Sequence, residues 1–442
     1  MLDLKYKTIL GVALPLMVSS FIQSIVLLTN AGFLSRYDTL AFDASGNAGL
    51  IYVTVFAALM GLADGAQILI ARRVGQDKRD AVGRIFGTTI TTLGLAALLL
   101  FVVIYYLMPG WIPSYTRHAD LAEAQVSFLS IRSYALFFGF ITLSIQAFFN
   151  AIGKTWVVLV GALIVAISNV IMDYLFIFGW KFIPEMGLEG AALSSTLAEG
   201  LGMLFLLTFL LFSKEAKAYR LFQFFAFQWK SFIELLKLGI PLFLQGFITL
   251  ATWTVFFTWI EQSGKDDLTI SQNIRAIYFL AFVPIWGFAA TTKTYISQYI
   301  GRQDFDSLAV IQRKIQLMTI VFIFVFMHGA VLYPEKLIAL INPGEAYLAK
   351  SAEILRFIAG SMFIFAFVSV KYQTVNGSGN TQVSFLIELI STSIYMLSAY
   401  LLIKVAKLDI FWVWSVEYIY FGTIGTLSIL YLKFFNWKNT KI

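Results

Sequence analysis

Cysteine is absent from the 442 residues, which excludes disulfides, thiol nucleophiles and thiolate metal sites. Histidine is almost absent. His118 and His328 stand far apart and form no metal-ligand pattern. Charge is also scarce, with Asp, Glu, Lys and Arg making up 13% of the chain, about half of the roughly 25% usual in a soluble globular protein. Too few charges remain to cover a water-facing surface. What is present instead is apolar. Hydrophobic residues reach 59% and mean hydropathy is +0.80. Runs of roughly 20 apolar residues, long enough to cross a hydrocarbon core of ~30 Å, follow one another with short breaks.

Twelve spans are expected, near 8–31, 47–70, 86–108, 126–149, 156–178, 188–212, 238–260, 270–296, 315–333, 352–374, 383–403 and 410–432. The stretch from Leu4 to Ile25 is too long for a cleavable signal and reads as the first span. Lysine and arginine concentrate in alternate loops. Arg72, Arg73, Lys78, Arg79 and Arg84 occupy one, and Lys214, Lys217, Arg220, Lys230 and Lys237 another. The positive-inside rule then puts both termini in the cytoplasm, with the chain in a cell's inner membrane. The net charge of +7 belongs to these loops, and no nucleic-acid partner is expected. Residues 213–237 form the only long basic inner connection, dividing the chain into 1–212 and 238–442 with six spans on each side. Six is even, so both halves enter the membrane in one sense. The fold class is therefore an all-α integral membrane protein: twelve transmembrane helices in two six-helix lobes, related by a pseudo-two-fold axis along the membrane normal.

A repeat supports that division. Gly61, Ala63, Ile70 and Gly75 recur at one constant offset as Gly287, Ala289, Ile296 and Gly301. The same offset carries Pro15 onto Pro241 and Asn150-Ala-Ile-Gly-Lys-Thr155 onto Asn376-Gly-Ser-Gly-Asn-Thr381. Several anchors sharing one offset indicate an internal duplication. Pro15 and Pro241 open matching helices. Each proline removes a backbone donor and bends its helix, which makes the pair candidate gating kinks.

With these motifs, Phe128-Leu-Ser-Ile-Arg132, Ser168-Asn-Val-Ile-Met-Asp-Tyr174 and Met186-Gly-Leu-Glu-Gly-Ala-Ala-Leu-Ser-Ser-Thr196, the chain resembles the multidrug and toxic compound extrusion (MATE) family of cation-coupled antiporters. The resemblance implies export of organic compounds against an inward flow of Na⁺ or H⁺, by alternating access of two lobes. It also implies a cation site in the N-terminal lobe at Asn30, Asn169, Asp173 and Thr196. Where the family has an acid in the first helix, this chain has Asn30, which removes one negative charge. Asn169 and Asp173, at i and i+4, share one helix face and offer an amide oxygen and a carboxylate to one point. That combination suits a hard cation such as Na⁺, whereas a proton needs only the buried carboxylate.

Other ionisable residues fall within the spans, where each is costly and should face a partner, a cavity or the interface. Glu199, one turn from Thr196, is either a displaced coupling acid or a structural partner of Arg132. Asp64 either pairs with nearby arginines or lines the substrate path. Arg275 and Glu388 either pair with each other or face the path, in which case an anionic or zwitterionic ligand fits. The segment Pro241 to Trp259 holds no Asp or Glu, so a cation site based on a seventh-helix acid is not expected. Aromatics at 17% suit planar lipophilic ligands as well as membrane belts.

The expected function is thus a monomeric antiporter for small organic, lipophilic substrates, surrounded by membrane lipids. It has no cofactor beyond the coupling ion, Na⁺ or H⁺. The alternative is a flippase for lipid-linked saccharides or other amphipathic lipids, from the wider superfamily. An integral-membrane enzyme is not expected, because only His328 lies within a span and no acid stands near it in sequence.

Overall fold

The computed structural model describes residues 2–116, 118–341 and 345–440. Among them there are helices and no β-strand, as hydrocarbon requires: a helix satisfies its backbone groups within one segment. The first half runs through α1 (Tyr6–Tyr37), α2 (Thr39–Gly75), α3 (Arg79–Val102), α4 (Met108–Tyr115) and α5 (Ala119–Ser133). It continues with α6 (Ala135–Ile152), α7 (Trp156–Phe178), α8 (Gly187–Phe212) and the short α9 (Lys214–Ala218). The second half contains α10 (Trp229–Glu261), α11 (Lys265–Gly301), α12 (Ser307–Leu332), α13 (Pro334–Ile341) and α14 (Glu345–Gly377). It ends with α15 (Thr381–Tyr400), α16 (Ile410–Val413) and α17 (Val416–Phe434).

Eleven helices among the described residues are long and apolar enough to cross a bilayer. The span expected at 410–432 is divided into the single turn α16 and the 19-residue α17. The span expected at 126–149 is also divided. α5 ends at Ser133, and Tyr134 N–H bonds back to Ile131 O at 3.3 Å, a tighter turn than the α-helix.

Two repeated sequence motifs have direct structural causes. Gly153 ends α6 with φ +78°, and Gly379 ends its counterpart with φ +87°. A left-handed residue closes a helix at both places, where a side chain would be strained. Gly61 and Gly287 answer to a different demand. A Cβ at Gly61 would lie 2.6 Å from Phe243 N, and one at Gly287 would lie 3.0 Å from Ala13 O and 3.2 Å from Met17 N. Met17 and Phe243 are themselves related by the repeat offset, so the two contacts are reciprocal. In each case the second helix of one repeat receives the opening helix of the other.

The compact units follow from this exchange. One comprises Met1–Met17 with Leu244–Ile442, the other Val18–Phe243. This differs from the sequence-based division into 1–212, a linker at 213–237, and 238–442. The chain changes unit inside α1 and α10, just past Pro15 and Pro241. Backbone-to-backbone fit is the cause. The linker lies on α3, where a Cβ at Gly83 would meet Arg220 O at 2.9 Å and one at Gly87 would meet Ala226 N at 2.7 Å. Gln228 N–H donates to Thr88 Oγ1 at 3.1 Å. From Trp229 the connection is already helical, as the first turns of α10. The N-terminus is fastened in the matching way within the other unit. Lys314, the repeat counterpart of Thr88, donates to Leu4 O at 2.7 Å, and Tyr295 and Tyr299 donate to Asp3 O and Leu2 O at 3.0 and 3.1 Å.

Candidate functional site

Asp173 is the most deeply enclosed acid in the unit Val18–Phe243. It is 0% exposed on α7, and Asn169, one turn earlier, is 1% exposed. The apolar run of α7 holds both in the membrane, and their i, i+4 spacing turns both to one side. α8 supplies two hydroxyls. Ser194 donates to Asp173 Oδ1, and Ser195 Oγ lies within hydrogen-bond reach of the Asn30 amide at 3.2 Å and the Asn169 amide at 3.1 Å. Asn30, near the end of α1, completes the group.

The hydrogen bonds around them fix the orientation of the amides. With both nitrogens on Ser195, both amide oxygens would face Asp173 Oδ2 and each other, acceptor against acceptor, so one amide is turned over. A turned Asn30 donates to Asp173 Oδ2, to Asn169 Oδ1 at 2.7 Å and to Val26 O at 3.0 Å, while its oxygen accepts from Ser195 Oγ. A turned Asn169 donates instead to Asp173 Oδ2 at 3.3 Å and Asn30 Oδ1 at 2.7 Å. Only one can turn at a time, because two NH₂ groups cannot face each other at 2.7 Å. An amide carries a donor and an acceptor on one rotor, so the same residues can serve a bare carboxylate or a bound cation.

The structure brings Asn30, Asn169 and Asp173 together, although α1 and α7 are far apart in sequence. Thr196, expected in this set, is buried and donates to Ala192 O at 2.8 Å on its own helix. Ser194 and Ser195 occupy the positions against the acid and the amides. Sequence reasoning passed over them because small hydroxyl residues are common in membrane helices. Glu199 pairs with Arg132, Oε1 to Nη2 at 2.7 Å. Arg132 also lies over the Tyr52 ring, with its guanidinium carbon 4.3 Å from the centroid. Glu199 thus meets Arg132, the partner the sequence offered for it. Asp64 is half-buried on α2 beside Gly65, where the backbone of α10 approaches at Gly239.

In the other unit, Arg275 and Glu388 do not pair. Arg275 lies over the Phe257 ring at 4.8 Å. Glu388, 2% exposed, accepts from Thr249 Oγ1 at 2.7 Å and Tyr420 OH at 2.6 Å. Rings and hydroxyls on neighbouring helices were closer to hand than either charge was to the other, a proximity that sequence spacing does not carry. Among the described residues no group of three His, Cys, Asp or Glu could hold a metal ion.

The MatE family model matches the chain twice, over residues 15–175 and 241–401, so the two matches begin at the paired prolines. A probable multidrug resistance protein NorM of Thermotoga maritima is 24% identical, over 99% of this chain and 94% of its own length. Another, from Chromobacterium violaceum, is 20% identical over 96% and 93%. Among solved structures, a MOP superfamily transporter of Pyrococcus furiosus, described with a binding pocket of reverse polarity, superposes with a TM-score of 0.88 at 16% identity, covering 97% of this chain and 95% of its own. An outward-facing multidrug resistance MATE family transporter superposes at 0.86 and 18%, with the same coverage. These likenesses establish the fold.

Proposed function

The chain belongs to the MATE family of membrane transporters, and on that basis we propose that it is a secondary antiporter, driven by H⁺ or Na⁺, that exports lipophilic organic compounds from the cytoplasm. The names of the curated relatives, multidrug resistance proteins, supply the substrate class. The observation that carries the coupling reading is the enclosure of Asp173 with Asn30, Asn169, Ser194 and Ser195, a shell able to serve the acid alone or with a cation.

Charge is the lever. A fully enclosed carboxylate is costly unless neutralised, and one monovalent cation neutralises this site because Asn30 contributes no second charge. A cation drives transport only if it binds one state of the carrier better than the other. In this reading its arrival draws the amide oxygens of Asn30 and Asn169 towards it, and α1 carries the change because Asn30 and Pro15 lie on the same helix. Pro15 and Pro241, where the chain passes from one compact unit into the other, are the bending points. The protein works in the inner membrane as a monomer, with both termini in the cytoplasm.

The test is efflux from proteoliposomes under separate Na⁺ and pH gradients, with cationic, neutral and anionic dyes as substrates. Asp173→Asn keeps the shape and removes the charge. It is expected to abolish gradient-driven efflux while the purified protein stays monodisperse. Undiminished efflux by that variant removes Asp173 from the coupling role.

A further inference from the structure

Arg275, half-buried on α11, has no use in the coupling reading. No carboxylate among the described residues pairs with it. Its guanidinium lies over the Phe257 ring, with the central carbon 4.8 Å from the centroid. A ring face attracts a cation without neutralising it, and it leaves the N–H donors of the fork unspent. Arg132 and Arg356 differ, since Glu199 and Glu335 answer them at 2.7 and 3.4 Å. Phe257 also begins a continuous ledge of rings. Trp253 meets Phe257 and Phe279, each at 5.8 Å between centroids. Phe279 meets Phe282 at 6.2 Å and Trp286 at 6.0 Å, and Phe282 meets Trp286 at 6.0 Å. Phe279 and Trp286 are 45% and 43% exposed. Arg275, Phe279, Phe282 and Trp286 stand at i, i+4, i+7 and i+11. At ~100° per residue all four fall within an arc of about 60°, over about three turns of α11.

Packing of the duplicated fold does not call for this face. The repeat offset carries Arg275, Phe279 and Trp286 onto Gly49, Val53 and Met60, and Trp253 and Phe257 onto Leu27 and Ala31. Only Phe282 keeps a ring, at Phe56. The related helices of the first half therefore fold with neither the charge nor the ledge. We propose that Arg275 and these rings bind a planar aromatic anion, a carboxylate or sulfonate joined to a flat ring system. The guanidinium fork matches two oxygens of such a group, and Phe279, Phe282 and Trp286 receive the flat part by stacking. Charge selects the sign, because an organic cation meets Arg275 as a like charge. A phospholipid could satisfy the arginine through its phosphate, but an acyl chain packs as well on leucine and gives the rings no purpose. The assignment names one substrate class and rests on the export reading for what becomes of the bound compound.

The experiment reads binding alone, so it can fail while export stands and hold where export fails. The full-length protein in lipid nanodiscs is titrated calorimetrically, with empty discs subtracted, against naphthalenesulfonate, naphthalenemethanol and naphthylmethylammonium. These share one ring system and differ in charge. The sulfonate is expected to bind about tenfold more tightly than the neutral compound, and the ammonium more weakly than either. Arg275→Gln should remove the preference for the sulfonate and leave the affinity for the neutral compound unchanged, whereas Arg275→Lys should keep part of the preference. Phe279→Leu combined with Trp286→Leu should weaken the sulfonate and the neutral compound alike. Asp173→Asn is expected to alter none of these affinities. If Arg275→Gln is not monodisperse, the paired ring variant decides, and unchanged sulfonate affinity in it overturns the proposal. Equal affinity of the unchanged protein for all three compounds, or a sulfonate preference that survives Arg275→Gln, overturns it too. So does an anionic phospholipid that co-purifies with the unchanged protein and is lost from Arg275→Gln, an outcome that gives the ledge to lipid.

Discussion

Asn30→Asp returns an acid to the first helix and tests the charge logic of the site. In the structure the Asn30 amide faces Asp173 Oδ2 and lies 2.7 Å from Asn169 Oδ1. A carboxylate there sets two negative charges about 4 Å apart, a repulsion of roughly 4 kcal/mol at an effective dielectric of 20. The first monovalent cation to bind relieves most of it. At about 1.4 kcal/mol per factor of ten, affinity for that cation should rise on the order of 10²- to 10³-fold. The assay is titration of the variant in nanodiscs with Na⁺ at fixed pH and with acid at fixed Na⁺. Asn30→Asp combined with Asp173→Asn restores a single charge and should bring affinity back near that of the unchanged protein. An Asn30→Asp variant with unaltered affinity for both cations refutes the claim that residues 30 and 173 share one site.

Further outcomes follow from packing and charge elsewhere. Gly61→Ala forces a methyl against the Phe243 backbone and should cost about 1–3 kcal/mol, as overpacking does. Gly246→Ala meets nothing within 4 Å and should be neutral or slightly stabilising, since alanine favours the helix; thermal melts in one detergent compare the two. Arg132→Met leaves Glu199 without its cation and should cost about 3 kcal/mol. Adding Glu199→Gln should recover much of that loss, and a double variant no better than the single shows the pair is not the cause. Asp409 lies outside the spans, and the Lys350 ammonium at 2.9 Å with the Phe411 N–H holds its carboxyl below the usual carboxylate range. Its stabilisation is therefore present at neutral pH and is lost as pH falls through the lowered value. Lys350→Ala should lower the melting temperature slightly at pH 7 and have no effect once Asp409 is protonated.

Membrane class, the helical fold and the duplication were legible in the chain because each rests on local information. A run of apolar residues specifies a span without reference to its neighbours. A fixed offset between Pro15 and Pro241, or between Gly153 and Gly379, survives in one dimension. Asn169 and Asp173 were legible as a pair because helix geometry alone brings i and i+4 together. The contacts of Glu199 and Glu388 were not. Spacing leaves open which of several candidates on other helices a side chain meets, and for Glu388 the partners were Thr249 and Tyr420, hydroxyls that carry no signal in an apolar sequence.

Hydropathy and repetition are properties of order along the chain, and they suffice to make this a membrane protein of two related halves. That each half begins its first helix in the other unit is a matter of folding, because it depends on two backbones meeting at Gly61 and Gly287. So is the choice of Ser195 rather than Thr196 to stand against Asn30 and Asn169. One residue along a helix turns a side chain by about 100°, and which face α8 presents to α1 and α7 is settled by packing.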